Sequence, residues 1–349
     1  MISRLKLVFL ANWKEEGNWS FLHELEGKVQ RVDVLQPFSF KQPASSRLTH
    51  ISKYLSEFYV PLLAAIQRKR FDVVVSWQMR LGVCYGILKR IIHSQNPPVH
   101  IIQDFHIDLT QTRLLYRFQL ALLKWAIPGI DYFFCTSTEE EALYSRMFHI
   151  PRSRIVFLPL VESSSNFEEP SHPIKDYIFS FGKSDRDFET LIRAVTALKL
   201  KTYILSRTYK PKVPVPENVC ILRDYVSDRE MVQWISSSRM VVLPLQDYRI
   251  SAGQISMLEV MALARPLIVT ENMATKEYAV HRHSALFFEA GNDQELAGHI
   301  AHLWNNMETA ERIGKQARQT ALKLKDKRMT VFVNLLEYCA MKIQKGDHP

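Results

Sequence analysis

Residues 240–270 read MVVLPLQDYRISAGQISMLEVMALARPLIVT. Residues 240–245 are a short apolar run, and a polar loop containing Gly253 follows. Residues 254–264 are apolar on nearly every side, through Ile255, Met257, Leu258, Val260, Met261, Ala262 and Leu263. A second apolar run covers 266–269. Strand, loop, buried helix and strand make one βαβ unit of a parallel sheet. Glu259 is the only charge in that helix, and its neighbours three and four positions away are Ile255, Ser256, Ala262 and Leu263. No local partner neutralises it. A buried carboxylate left unpaired costs on the order of several kcal/mol. Glu259 therefore either reaches a distant basic side chain or faces a ligand that bonds to it. Ligands bind beyond the carboxyl ends of parallel strands. Ser251, Ala252 and Gly253 sit at such an end, and the helix start behind them offers N–H groups to an anion.

The same alternation fills the chain on both sides of this stretch. In the first half, strand patterns fall at 5–10, 31–35, 71–77, 99–103, 132–136 and 154–158. Helical patterns fall at 47–68, 79–93 and 139–147, the last with Thr138 as N-cap. In 47–68 the residues Ile51, Leu55, Phe58, Leu62, Leu63 and Ile66 share one side. Residues 162–173 (ESSSNFEEPSHP) have little to bury and read as a linker. The alternation then restarts, with strands at 177–180, 202–206, 219–222 and 286–288 and helices at 188–198 and 228–236. Asn292 and Asp293 cap a helix at 294–304, and two charged helices, 309–324 and 329–343, close the chain. The expected fold class is α/β, with two Rossmann-like doubly wound domains at 1–161 and 175–328. Residues 162–174 link them, and a C-terminal helix, 329–349, packs back on the first.

A chain of 349 residues suits about two domains. Its 47% hydrophobic and 23% charged residues are those of an ordinary globular protein. A net charge of +9 and a pI near 9.3 point to anionic partners: phosphorylated metabolites, acidic lipid or nucleic acid. No nucleic-acid recognition motif appears, so nucleic acid is not expected as a partner. Cys84, Cys135, Cys220 and Cys339 are far apart and form no C-x-x-C, which signals neither a zinc site nor a disulfide framework. A reducing cytoplasm is the simplest compartment. The start, MISRLKLVFLANW, reads as a first strand rather than a signal peptide. No stretch reaches the roughly 18 apolar residues of a spanning helix. Residues 109–127 (LTQTRLLYRFQLALLKWAI) interleave Arg113, Arg117 and Lys124 with apolar and aromatic side chains. Such a helix either lies on an anionic membrane surface or is a long core helix with snorkelling cations.

The second half restarts as Phe179-Ser180-Phe181-Gly182-Lys183-Ser184-Asp185-Arg186-Asp187. Gly182 follows a strand, and Lys183 and Arg186 lie in the turn before a helix. Two cations there suit a diphosphate, Lys as a point charge and Arg as a two-pronged donor. The alternative is a solvated turn in which Asp185 and Asp187 neutralise both. Neither G-x-G-x-x-G nor G-x-x-x-x-G-K-[ST] occurs.

Three stretches carry a family resemblance: FSFGKSDRDFETLIRA, SAGQISMLEVMALARPLIVT and LFFEAGNDQELAGHIAHLWNN. The chain resembles a GT-B glycosyltransferase, and its second half resembles the retaining glycosyltransferase family 4 (glycosyl transferases group 1). The likeness covers nearly all of the second half and the first only loosely. It implies two domains facing each other across a cleft, and transfer of a sugar from a nucleotide-sugar donor to a lipid-linked or glycan acceptor. By position, Glu259 matches the glutamate that holds the nucleotide ribose, and Lys183 and Arg186 match the basic pair on the donor diphosphate. Gly182, Ala252, Gly253 and Gln254 fall where the family meets the donor. The family's first glutamate is Ser251 here, which keeps open a non-catalytic nucleotide-sugar-binding or scaffold protein. A nucleotide-sugar epimerase is the other alternative, and Ser251 counts against it. The glycine expected before the proline falls at Arg265. Relatives often place a His at a strand end toward the donor sugar; His106, flanked by Asp104 and Asp108, is the candidate, with a surface loop His as the alternative. Trp77 and Gln78 follow another strand end and suit an acceptor pocket. No metal and no cofactor are expected. The implied setting is cytoplasmic, at the inner membrane face.

Overall fold

The computed structural model describes residues 1–13, 20–37, 47–92, 96–107, 114–161, 172–183, 185–246 and 251–347, with backbone alone at 20, 47–54 and 114–115. The chain divides into two compact units. Unit 1 comprises Met1–Leu158 and Met329–Pro349, and unit 2 comprises Pro159–Arg328.

Unit 1 alternates β1 (Lys6–Leu10), α1 (Ser20–Glu26), β2 (Arg31–Leu35), α2 (Arg47–Ile66), β3 (Val73–Gln78), α3 (Met79–Ile91), β4 (Val99–Asp104), α4 (Leu114–Ala126), β5 (Tyr132–Cys135), α5 (Thr138–Phe148) and β6 (Ile155–Phe157). The six strands form one parallel sheet in the order β2-β1-β3-β4-β5-β6. Their continuous apolar runs, such as Leu7-Val8-Phe9-Leu10, are buried on both faces because helices cover both. Leu7, Phe9, Val73, Val75, Ile101 and Phe134 share a core with α1. Val8, Leu10 and Val74 face α2 and α3, and Ile102 and Phe133 face α4 and α5.

Unit 2 runs β7 (Lys175–Phe181), α6 (Phe188–Leu198), β8 (Thr202–Leu205), β9 (Val219–Leu222), α7 (Asp228–Ser237), β10 (Ser238–Leu243), α8 (Gln254–Ala262), β11 (Leu267–Thr270), α9 (Thr275–Tyr278), β12 (Leu286–Phe288), α10 (Asp293–Asn305) and α11 (Met307–Lys345). Its parallel sheet has the order β12-β11-β10-β7-β8-β9. From β7 the chain winds outward through β8 and β9, then returns to β10 on the other side of β7. The order reverses between β7 and β10, which is where a doubly wound sheet opens a crevice at its carboxyl edge.

Several expectations change. The two closing helices are one, α11. Nothing between Leu324 and Met329 breaks a helix: Lys325-Asp326-Lys327-Arg328 is polar but contains neither Gly nor Pro. Residues from Met329 onward pack in unit 1, where Phe332, Leu336 and Cys339 join the core of β1 and β3. Ser137, not Thr138, caps α5, accepting from the Glu139 N–H at 3.1 Å. The left-handed residue ahead of Pro266 is Ala264 (φ 52°), one before Arg265, so the family glycine's task falls to Ala264. In α2 the apolar side turns outward: Val60, Ala64 and Ala65 are buried while Leu55, Phe58, Leu62 and Ile66 are exposed. Periodicity locates a stripe without saying which way it faces. Most of the linker, at 162–171, and residues 109–113 of the basic amphipathic segment lie outside the described residues, as does Asp108.

Candidate functional site

Gly182 ends β7 with φ 133°, a conformation side chains rarely adopt. A Cβ there would lie 2.3 Å from Arg186 Nε, so only glycine lets the guanidinium lie over the chain. Arg186 Nε donates to the Phe181 carbonyl (3.0 Å), and Nη2 donates to Ser256 Oγ on α8 (2.9 Å). The turn is tied to the end of β10: Asp187 N–H donates to Pro244 O (3.0 Å), and Gln246 N–H donates to Asp185 O (3.1 Å). Burial lowers the Arg186 pKa to about 10, against the opposing fields of Asp185 and Glu259. Arg186 thus keeps its charge at neutral pH. Asp187 caps α6, accepting from Thr190 N–H (3.1 Å) and Thr190 Oγ (2.5 Å). Lys183 is exposed at the rim.

Opposite this turn stands the start of α8. Gly253 is its N-cap (φ 90°), and no side chain caps it. The first-turn N–H groups of a helix have no partner within it. Gln254 folds away from that role, its Nε2 donating to Ser251 Oγ at 2.6 Å. Asn272 Nδ2 donates to the Ala252 carbonyl (3.2 Å) and so holds the loop. Glu259 is half-buried. Its negative field acts on Arg186, and it lines a cavity.

That cavity, of about 710 Å³, gathers Gly182, Lys183, Arg186, Ala252, Gly253, Gln254 and Glu259. Ser251 lies just behind, bonded to Gln254. Sequence reasoning missed Ser256, which holds Arg186, and Asn272. It also missed Arg207, Asp224 and Tyr225, which line the same cavity from the ends of β8 and β9.

His106 belongs to unit 1, in the loop after β4. Its side chain is 40% exposed, and its Nδ1 lies 3.2 Å from Glu140 Oε1. Glu140, only 2% exposed, also accepts from Tyr144 Oη (3.0 Å), Thr136 N–H (3.0 Å) and Thr136 Oγ (2.9 Å). A carboxylate only accepts, so His106 places its proton on Nδ1. Burial and Glu140 push the Tyr144 phenol far up, which keeps it a donor. Trp77 packs edge-on against Trp13, with ring centroids 5.7 Å apart.

Two doubly wound units, the second with two cations and a helix N-terminus at its switch point, have the architecture of the GT-B glycosyltransferases on which the chain superposes. Residues 181–306 match the family model described as Glycosyl transferases group 1, and unit 2 carries that family's domain. No curated protein matches the sequence. Among solved structures, a glycosyltransferase from Rickettsia africae ESF-5 superposes with a TM-score of 0.66 at 10% identity, over 97% of this chain and 99% of that one. Sucrose-phosphate synthase from Thermosynechococcus elongatus gives 0.68 at 13% identity, over 96% and 99%. Anabaena HepE, solved in complex with UDP, gives 0.65 at 12% identity, over 95% and 99%.

Proposed function

We propose that the protein transfers a sugar, with retention, from a nucleotide-sugar donor to a lipid-linked or glycan acceptor, in the making of cell-surface polysaccharide or glycoconjugate. It works in the cytoplasm at an anionic membrane face. The observation that carries this reading is the gathering of Lys183, Arg186, Glu259 and the start of α8 around one cavity. In this reading Glu259 accepts hydrogen bonds from the ribose hydroxyls. Lys183, Arg186 and the first-turn amides of α8 hold the diphosphate, and their charge stabilises it as it departs. Gly182 and Gly253 let the backbone approach the phosphates. Ser251 and Gln254 present a neutral pair near the donor sugar where relatives carry an acid. In this reading His106 is the catalytic histidine of unit 1, its Nδ1 held by Glu140. The complexes of Anabaena HepE with UDP support a uridine donor as the first to test. No metal is needed to hold the diphosphate in this scheme.

A thermal-shift screen of nucleotide-sugars tests it. A donor at about 100 times its Kd should add about 2.7 kcal/mol to stability. Lys183→Ala with Arg186→Ala should abolish that shift and donor turnover. A double variant that turns over donor at the parent rate places the diphosphate elsewhere.

A further inference from the structure

α2 is apolar on two opposite sides. One side packs on the sheet through Val60 and Ala64. On the other, Leu55 (58%), Phe58 (67%), Leu62 (45%) and Ile66 (63%) are exposed. At 100° per residue these four fall within an arc of about 80°, forming a single stripe about three turns long. A continuous exposed apolar surface of this kind marks an interaction site.

The exposure does not end with α2. α3 packs beside α2, and α4 beside α3, over the same face of the sheet. Ile91 of α3 and Phe118 and Trp125 of α4 are exposed too. Phe118 and Trp125 are seven residues apart and lie on one line of the helix, each preceded by an exposed cation, Arg117 and Lys124. The Arg90 guanidinium sits 5.7 Å from the Trp125 ring. α4 has Leu123 and Ala126 in the core, while Phe118 and Trp125 are exposed.

Charge identifies the occupant. Residues 47–70, 79–91 and 114–126 contain ten Lys and Arg and one acid, Glu57. Glu57 is buried, accepting from Asn12 and Arg80. The surplus of nine in these fifty residues equals the net charge of the whole chain, +9, and falls to eight once Lys89, buried against Asp131, is set aside. The basic character is therefore concentrated in one helical layer. It stops at α5, which opens with Glu139, Glu140 and Glu141. Nucleic acid would meet the cations but leave the Leu55–Ile66 stripe in water. An anionic bilayer meets both, taking apolar side chains to the acyl boundary and cations to the headgroups. Among the described residues no helix is long and apolar enough to cross a membrane, so the contact is with the surface.

We infer that the outer face of α2, continued by α4, is the surface by which the protein lies on an anionic lipid bilayer. This rests on the membrane part of the function proposed above and names the residues that carry it. The test uses the full chain with phosphatidylcholine vesicles, with or without phosphatidylglycerol, in sedimentation at low salt. The parent should sediment with the anionic vesicles and be released by salt. Phe58→Gln with Leu62→Gln should cut partition by about tenfold or more. Lys69→Gln with Arg70→Gln should cut it about fivefold for each charge removed. Melting curves confirm that each variant is folded. Where the apolar pair fails to fold, the Lys69 and Arg70 pair, at exposed positions, decides. A parent that ignores anionic vesicles overturns the membrane reading and this surface with it. A parent that binds, with both folded double variants binding equally well, overturns this surface alone. A dimer in size exclusion that dissociates on Phe58→Gln with Leu62→Gln, vesicle binding being unchanged, assigns the stripe to a second copy and overturns it as well.

Discussion

Glu140 receives four donors on two carboxylate oxygens, and each of them depends on its being an acceptor on both sides. Glu140→Gln keeps the shape but turns one oxygen into an NH2. If that amide faces Thr136, it opposes an N–H. If it faces His106, the imidazole must accept at Nδ1 and move its proton to Nε2. In the proposed function, an imidazole with the wrong tautomer loses acid–base or electrostatic competence while the proposed donor site in unit 2 is untouched. We expect kcat to fall at least about tenfold with little change in KM for the donor. Stability should fall by about 1–3 kcal/mol. Parallel losses in kcat and donor affinity would point to general damage instead. Nothing in the sequence singles out Glu140. It reads as one of three acids in the first turn of α5, where the helix dipole favours acids anyway, so its pattern already has an explanation. Glu259, by contrast, is a lone charge among apolar residues. Lys183 and Arg186 stand between a strand end and a helix start, where the helix dipole disfavours cations. Residues that break a local rule could be seen from sequence; a residue that obeys one could not.

The same distinction holds for elements. The βαβ unit of β10, α8 and β11 was legible because its apolar runs have lengths that only a strand or a helix fills. The outward face of α2 was not, since a period has no direction. The continuity of α11 was masked by a run of charges that resembles a break. One local rule is broken at the end of α8. Ala264 N–H donates to Met261 O and Arg265 N–H to Val260 O, which is a Schellman closure with Ala264 in the left-handed position. A side chain there is strained, by about 1–2 kcal/mol, and glycine is not. Ala264→Gly removes that strain but frees the unfolded chain, which returns part of the gain. The expected net is a stabilisation of about 0.5–1 kcal/mol, read as a higher urea midpoint at unchanged m-value. A lower midpoint would mean that the Ala264 methyl is needed where α11 passes. There Gly314 comes so close that a Cβ on it would lie 2.2 Å from the Ala264 carbonyl oxygen.

For the whole molecule, one contribution to acid stability comes from a buried histidine in the sheet of unit 1. His100 is 0% exposed on β4. The Gly129 carbonyl, 3.3 Å from Nδ1, can only accept, so the proton sits on Nδ1. Nε2 then accepts from Ser76 Oγ at 2.9 Å. Burial first, and the charge of Lys89 second, push the His100 pKa down to about 3. Lys89 itself pairs with Asp131, whose carboxylate also accepts from the His100 backbone N–H at 2.6 Å. In the unfolded chain an ordinary histidine titrates near 6.5. Between that value and about 3 the unfolded chain therefore holds a proton that the folded chain refuses. Stability from this group is fully present above pH 6.5. It is lost as pH falls, at a limiting slope of about 1.4 kcal/mol per pH unit. His100→Gln keeps a donor and an acceptor but does not titrate. Its urea-derived stability should start lower at pH 7 and lose about one proton's worth of slope between pH 6 and 4.5. If parent and variant decline in parallel over that range, the proton taken up on acid unfolding belongs to another group, and the buried pair of Lys89 and Asp131 becomes the next to replace.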